Sequence, residues 1–257
     1  MKKVYRGLIL ILFIICMLVS YKMYNYYAPP QLQEPYLMNS LNYDDTLRIA
    51  FIGDSWAYMH KNHHCQLSMM IENVINRPVI VKSHGICGLT SKEIYEAFFE
   101  DYSYKKFIMS GFDFCIISAG INDTYKKMSV NYYKKSMDCI IQFLLANHIH
   151  PIILEIPDYD IEKAYERQTF LRKILRQLSM FINNTPLDCK QLFRESLDEL
   201  IKEKGYEQEV YVIRYKEWNT NYNKDLRRLY TGDGMHLNEN GYVNLEKHIN
   251  ILSTTSQ

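Results

Sequence analysis

From residue 47 onward, short apolar runs alternate with stretches whose apolar positions recur at helical spacing. The runs at 47–52, 79–82, 112–118 (FDFCIIS), 151–156 and 210–215 predict strands. The stretches 65–75, 91–107, 131–147, 161–183 and 191–204 predict helices, and 241–252 a closing helix. Within 91–107, Ile94, Ala97, Phe98 and Tyr102 fall on one side, and 161–183 reads as one long helix with mixed charge on its outer face. Strands alternating with helices predict an α/β fold with a parallel sheet covered on both faces. Five such strands suit a flavodoxin-like doubly wound order, 2-1-3-4-5, in which ligands bind beyond the carboxyl ends of the strands.

The first residues follow a different pattern. Lys2, Lys3 and Arg6 precede an apolar run from Leu8 to Val19, and Ser20, Tyr21 and Lys22 follow it. Residues 1–27 therefore read as a signal anchor or a signal peptide. Counted from Val4 to Tyr27, with tyrosines at the interface, the segment is long enough to span a bilayer. No small-x-small cleavage site follows, and the bulky Ile15 before Cys16 disfavours a lipid-attachment site, so the uncleaved anchor is the preferred expectation. Positive charge ahead of the run places the main domain on the extracytoplasmic side. Residues 28–46 are proline-containing, polar and aperiodic, and read as a tether. The folded domain is expected over 47–257.

Composition narrows the function classes. Thirty Lys and Arg balance 29 Asp and Glu, so there is no electrostatic footprint for nucleic acid. Cys16 lies in the apolar segment, and Cys65, Cys87, Cys115, Cys139 and Cys189 form no CxxC pair. A zinc ribbon or redox motif is therefore disfavoured. His60, His63, His64 and Cys65 have ligand-like spacing but no second ligand pair elsewhere, and are expected to be exposed near a cleft rim. The 22 tyrosines suit core edges, with a sugar-binding surface as the sharper alternative for some.

Four short blocks carry candidate chemistry. Ser55 closes the first strand in Gly53-Asp54-Ser55, where a strand-to-helix turn exposes a hydroxyl. The same place also suits a helix-capping serine. His236 stands in Asp233-Gly234-Met235-His236, before the closing helix. A serine nucleophile needs a base that titrates near neutrality, and a carboxylate three residues earlier in a tight turn can fix the imidazole tautomer. Asn122, in Gly120-Ile121-Asn122-Asp123 after a strand, offers a side-chain amide to an oxyanion. Gly88 offers a backbone N–H, and so does Ser55 itself. Asp54 and Asp123 are expected to cap turns. His248 lacks an obvious partner.

Together these blocks resemble the SGNH hydrolases of the GDSL esterase/lipase superfamily over roughly residues 47–250. Block I matches Gly53-Asp54-Ser55, block II Gly88 within GICGLTS, block III Gly120-Ile121-Asn122-Asp123, and block V Asp233-Gly234-Met235-His236. Trp56 replaces the leucine of the family name, and the looseness of block II leaves Gly85 as a substitute for Gly88. The resemblance implies a three-layer α/β/α fold, with Ser55 as nucleophile, His236 as base and Asp233 as its orienter. It also implies an oxyanion hole of Ser55 N–H, Gly88 N–H and the Asn122 amide, and no metal or organic cofactor.

A serine esterase is the leading expectation. Its substrate would be an acylated small molecule or glycan, specifically an acetyl ester on a cell-envelope or extracellular polysaccharide. An O-acyltransferase would use the same serine and pass the acyl group to a sugar hydroxyl, and a multispanning acyl-donor partner would mark it. A glycan-binding module on a decayed hydrolase fold is less favoured, because all three catalytic positions are filled. Specificity is expected from 56–64, 122–130 and 216–232, which hold Trp56, Tyr58, Tyr125, Trp218, Tyr222 and Tyr230.

Overall fold

The computed structural model describes residues 2–36 and 44–249. It opens with α1 (Lys2–Tyr27). Then follow β1 (Leu47–Gly53), α2 (Ser55–His60), α3 (His64–Ile75), β2 (Val79–Gly85), α4 (Ser91–Glu100) and α5 (Tyr102–Ile108). The middle of the chain forms β3 (Phe114–Ser118), α6 (Ile121–Lys126), α7 (Val130–Ala146) and β4 (His150–Leu154). The last part forms α8 (Ile161–Glu166), α9 (Phe170–Asn183), α10 (Lys190–Lys204), β5 (Tyr211–Ile213), α11 (Tyr215–Trp218), α12 (Tyr222–Leu229) and α13 (Glu239–Glu246).

The five strands form one parallel sheet in the order β2-β1-β3-β4-β5. This is the expected doubly wound order. β3 is buried throughout and β1 at every position but Arg48, as central parallel strands covered on both faces should be. α2 and α3 pack on β2, α7 packs on β4, and α4 and α10 lean on α7. One continuous core runs through the sheet and these helices, with Phe51, Ile116, Ile117, Ile140 and Ile153 wholly buried in it.

Two expected helices are each divided. Residues 91–107 break at Asp101, which ends α4 and caps α5 by accepting the N–H of Tyr104. The break turns Tyr102 outward, away from the side shared by Ile94 and Phe98. Residues 161–183 break before Thr169, the N-cap residue of α9. The outer face of α9 is also apolar instead of mixed in charge. The closing helix begins at Glu239 because Asn238 caps it through the N–H of Gly241. Residues 250–252 of its expected span lie outside the described residues, as do residues 37–43 of the expected tether.

α1 contains a 19-residue stretch, Ile9–Tyr27, long and apolar enough to cross a membrane, and none of it is buried. Residues 28–36 run along the domain. Gln33 donates its N–H to the Tyr95 hydroxyl at 2.7 Å, and the Tyr36 hydroxyl donates to the Phe98 carbonyl at 2.9 Å.

Candidate active site

The registers place Gly85, Gly53 and Ser118 side by side at the carboxyl ends of β2, β1 and β3. The chain leaves all three strands at this edge, where ligand sites form in such sheets. Gly53 has φ +141°, and a Cβ there would lie 2.0 Å from the Ser118 carbonyl oxygen. Only glycine lets β1 approach β3 this closely and then turn. Asp54 caps α2 by accepting the N–H of Trp56 at 3.0 Å, which leaves Ser55 as the first residue of α2.

His236 reaches this edge from the far end of the chain. The Ser55 hydroxyl donates to His236 Nε2 at 2.9 Å, and His236 Nδ1–H donates to Asp233 Oδ2 at 2.5 Å. The other oxygen of Asp233 accepts the N–H groups of Met235 and His236 and the Thr231 hydroxyl. Burial pushes the Asp233 carboxyl up, but these donors and the imidazole outweigh it and hold it well below the usual carboxylate range. A carboxylate held ionised in this way keeps the proton on Nδ1 and leaves Nε2 free to take one from Ser55.

Asn122 stands beside this line. Its amide donates to Asp54 Oδ2 at 3.3 Å. An amide NH2 carries two donors, so one remains for a ligand among the described residues. Asp54 is wholly buried and also accepts from the Ser118 hydroxyl at 3.0 Å. Burial pushes its carboxyl up to about 6. Asp54 thus braces Asn122 as well as capping α2.

Gly88 and Gly85 differ in kind. A Cβ on Gly85 would fall 2.4 Å from the Asp54 carbonyl and the Tyr58 nitrogen, so Gly85 is there to let β2 and α2 touch. Gly88, three residues past β2, has φ +84° and open space where its Cβ would be. Of the two, Gly88 is the one that no such packing contact explains.

The remaining expectations divide. Asp123 does not simply cap its own turn: it accepts the N–H and hydroxyl of Ser91 and so ties α6 to the start of α4. His60 is fully buried instead of lying at a rim. Its ring meets the Ser83 hydroxyl at 2.7 Å and Glu246 at 3.0 Å, because α2 turns it toward β2 and α13. His63 stacks on Tyr242, Cys65 is exposed, and the His64 side chain lies outside the description. Among the described residues no cluster of metal-ligating side chains forms. His248 Nδ1 meets the Asn244 carbonyl at 2.8 Å, and all six cysteines are unpaired. Trp56, Trp218 and Tyr230 belong to the core, whereas Tyr58 is exposed and Tyr125 and Tyr222 are half-buried.

Several side chains with no local sequence signal support the site. The Tyr222 hydroxyl donates to the Gly234 carbonyl at 2.6 Å, Arg167 donates to the Asp233 carbonyl at 3.4 Å, and the Tyr242 hydroxyl donates to the Trp56 carbonyl at 2.9 Å. A cavity of 320 Å³ opens beside the Asp233 loop, lined by Lys163, Tyr222, Arg227 and Tyr230 among others.

Comparison with solved structures identifies the fold. A GDSL-like lipase from Bacteroides thetaiotaomicron superposes with a TM-score of 0.53 at 19% identity, covering 79% of this chain and 85% of that one. The lipase/acylhydrolase from Enterococcus faecalis gives 0.53 at 18% identity, covering 79% and 93%. A variant of an acetyl xylan esterase from Geobacillus stearothermophilus gives 0.52 at 16% identity, covering 79% and 92%. No protein-family profile matches the sequence. The N-acylneuraminate cytidylyltransferase of Escherichia coli O18:K1:H7 is 28% identical over 174 residues, which is 66% of this chain and 34% of that protein. The chain thus spans about a third of that relative's length. Its fold is that of the SGNH hydrolases, the family the four blocks resemble.

Proposed function

We propose that this chain is a serine ester hydrolase that removes small acyl groups, acetyl above all, from the hydroxyls of a glycan or an acylated sugar. The observation that carries the proposal is the unbroken hydrogen-bonded line from the Ser55 hydroxyl through His236 to Asp233, at the carboxyl edge of a parallel sheet. Residues 47 onward would form the catalytic domain, behind an anchor over 1–27 and a link over 28–46. The extracytoplasmic side is the placement proposed for the domain.

The geometry supports the following sequence. Ser55 Oγ attacks the ester carbonyl while Nε2 of His236 takes its proton. The negative charge that develops on the carbonyl oxygen is met by the N–H groups of Ser55 and Gly88 and by the Asn122 amide. The tetrahedral intermediate collapses when His236 returns the proton to the departing sugar oxygen, leaving an acyl-serine. Water, deprotonated by the same imidazole, then releases the acid. Asp233 compensates the imidazolium at each stage and holds the ring in place.

The substrate class draws support from two comparisons. One structural neighbour is an acetyl xylan esterase variant, and the sequence relative takes its name from an N-acylated sugar acid. Labelling the full chain with a fluorophosphonate probe tests the reaction class. Labelling should vanish in Ser55→Ala and slow strongly in His236→Ala. Acetate release should then be measured on O-acetylated sugars, neutral and acidic. A folded wild-type chain that takes up no probe would remove the hydrolase reading altogether. Labelling without acetate release would keep the activated serine and remove the substrate class.

A further inference from the structure

α9 is built inside out. Along it, Phe170, Leu171, Ile174, Leu175, Leu178, Phe181 and Ile182 recur at helical spacing and make one stripe. That stripe faces away from the domain: Phe170 is 79% exposed, Leu171 66% and Phe181 85%. The polar face is the one turned inward. Arg176 donates to the Lys126 carbonyl and lies over the Tyr125 ring, and Asn183 donates to the Lys127 carbonyl. Ser179 is buried. A helix in water puts its apolar stripe on the core, so a helix that does the reverse next to its own core has something other than water outside.

The neighbouring element indicates what that is. The end of α1 is fastened directly to α9 and α4. The Tyr27 and Ser179 hydroxyls are 2.6 Å apart. Lys92 of α4 donates to the carbonyls of Asn25 and Ala28, where a cation suits the end of a helix. α1 likewise exposes an apolar surface on all sides over residues 9–19. A crevice of 570 Å³ separates the two helices, lined by Lys22, Met23, Tyr26, Arg172, Leu175 and Arg176. Its mixture of cations, tyrosine and aliphatic groups is that of a headgroup boundary.

We infer that α9 lies in the surface of the bilayer that α1 crosses, with its Phe170-to-Ile182 stripe among the acyl chains and Lys22 and Arg172 at anionic headgroups. The domain is then seated on the membrane at two adjoining places instead of swinging on a tether. The turn that enters α9 carries Arg167, which touches the Asp233 carbonyl, so the seated helix is one short step from the catalytic loop. The inference rests on the anchor reading of α1 and is independent of the reaction proposed above.

The test uses the full chain in vesicles of phosphatidylcholine and phosphatidylglycerol, carrying either Phe181→Trp or Tyr102→Trp. Tyr102 is equally exposed but follows the end of α4 opposite Lys92, away from α1. The native Trp56 and Trp218 are buried, so the added fluorophore is read as the difference from the unsubstituted chain. Lipids brominated on the acyl chain should quench Phe181→Trp several-fold more than Tyr102→Trp, and aqueous acrylamide should show the opposite order. Equal acrylamide quenching of the two variants in chains that float with the vesicles would overturn the seating while leaving the anchor. Protection of Phe181→Trp from both quenchers, lost when the protein is diluted in lipid, would overturn it in favour of a second copy on the stripe. A chain that does not float would overturn both the anchor and the seating.

Discussion

At the scale of single residues, the proposed reaction rests on one carboxylate to orient the imidazole. Asp233 accepts four hydrogen bonds, and only one of them comes from the imidazole ring. Asp233→Asn should keep the loop, since an amide oxygen can replace one acceptor, but would present an N–H to Nδ1 and favour the wrong tautomer. The reaction rate with a fluorophosphonate or ester should fall by about 10³- to 10⁴-fold with little change in substrate affinity. Burst and steady-state kinetics would show it. A loss confined to affinity would make Asp233 a structural residue of the turn only. That Ser55, Asp233 and His236 come together, with Asn122 beside them, was legible because each stands in a short block tied to a strand end or a turn. The Asp54 bridge to Asn122 and Ser118 was not, because its partners lie 68 and 64 residues away in sequence.

At the scale of elements, two helix starts are held by buried acids. Asp54 caps α2, and Asp123 pins α4 through Ser91. Burial pushes both carboxyls up from 3.8 to about 6. The folded chain therefore keeps protons between about pH 4 and 6 that the unfolded chain has already released. Their contribution to stability is full below about pH 4, falls as pH rises toward 6 and is flat above. A shift of this size corresponds to about 3 kcal/mol per group at most. The difference in unfolding free energy between wild type and Asp123→Asn should change in that window, with wild type losing ground as pH rises. Urea unfolding at a series of pH values measures it, and parallel profiles would refute it. Elements were legible where a run of apolar residues was unbroken, as in the buried β1 and β3, whereas the Asn238 cap that starts α13 two residues early was not read. They were misread where one polar residue cut a continuous period, as at Asp101 and Thr169. The outer face of α9 was misread for another reason: an amphipathic period does not say which side meets the core, and the usual assignment fails when the other side is not water.

At the scale of the whole molecule, Ser55 and His236 lie 181 residues apart, so their 2.9 Å contact depends on what fastens the chain's last elements to its first strand. α13 supplies that fastening. The Tyr242 hydroxyl donates to the Trp56 carbonyl, one residue after Ser55, and Glu246 meets His60 at the other end of α2. Tyr242 also stacks on His63, just past the end of α2. None of this was legible in the sequence, because Tyr242, Trp56, His60 and Glu246 pair only across the finished fold. Tyr242→Phe keeps the ring contacts and removes only the hydroxyl. The lost hydrogen bond should destabilise the domain by about 1 kcal/mol. It should also loosen the segment that carries His236, slowing fluorophosphonate labelling of Ser55 several-fold at temperatures where the domain is still folded. Thermal unfolding and labelling rates measured on the same preparation separate the two effects. A lower melting temperature with an unchanged labelling rate would show that α13 stabilises the fold without setting the distance between Ser55 and His236.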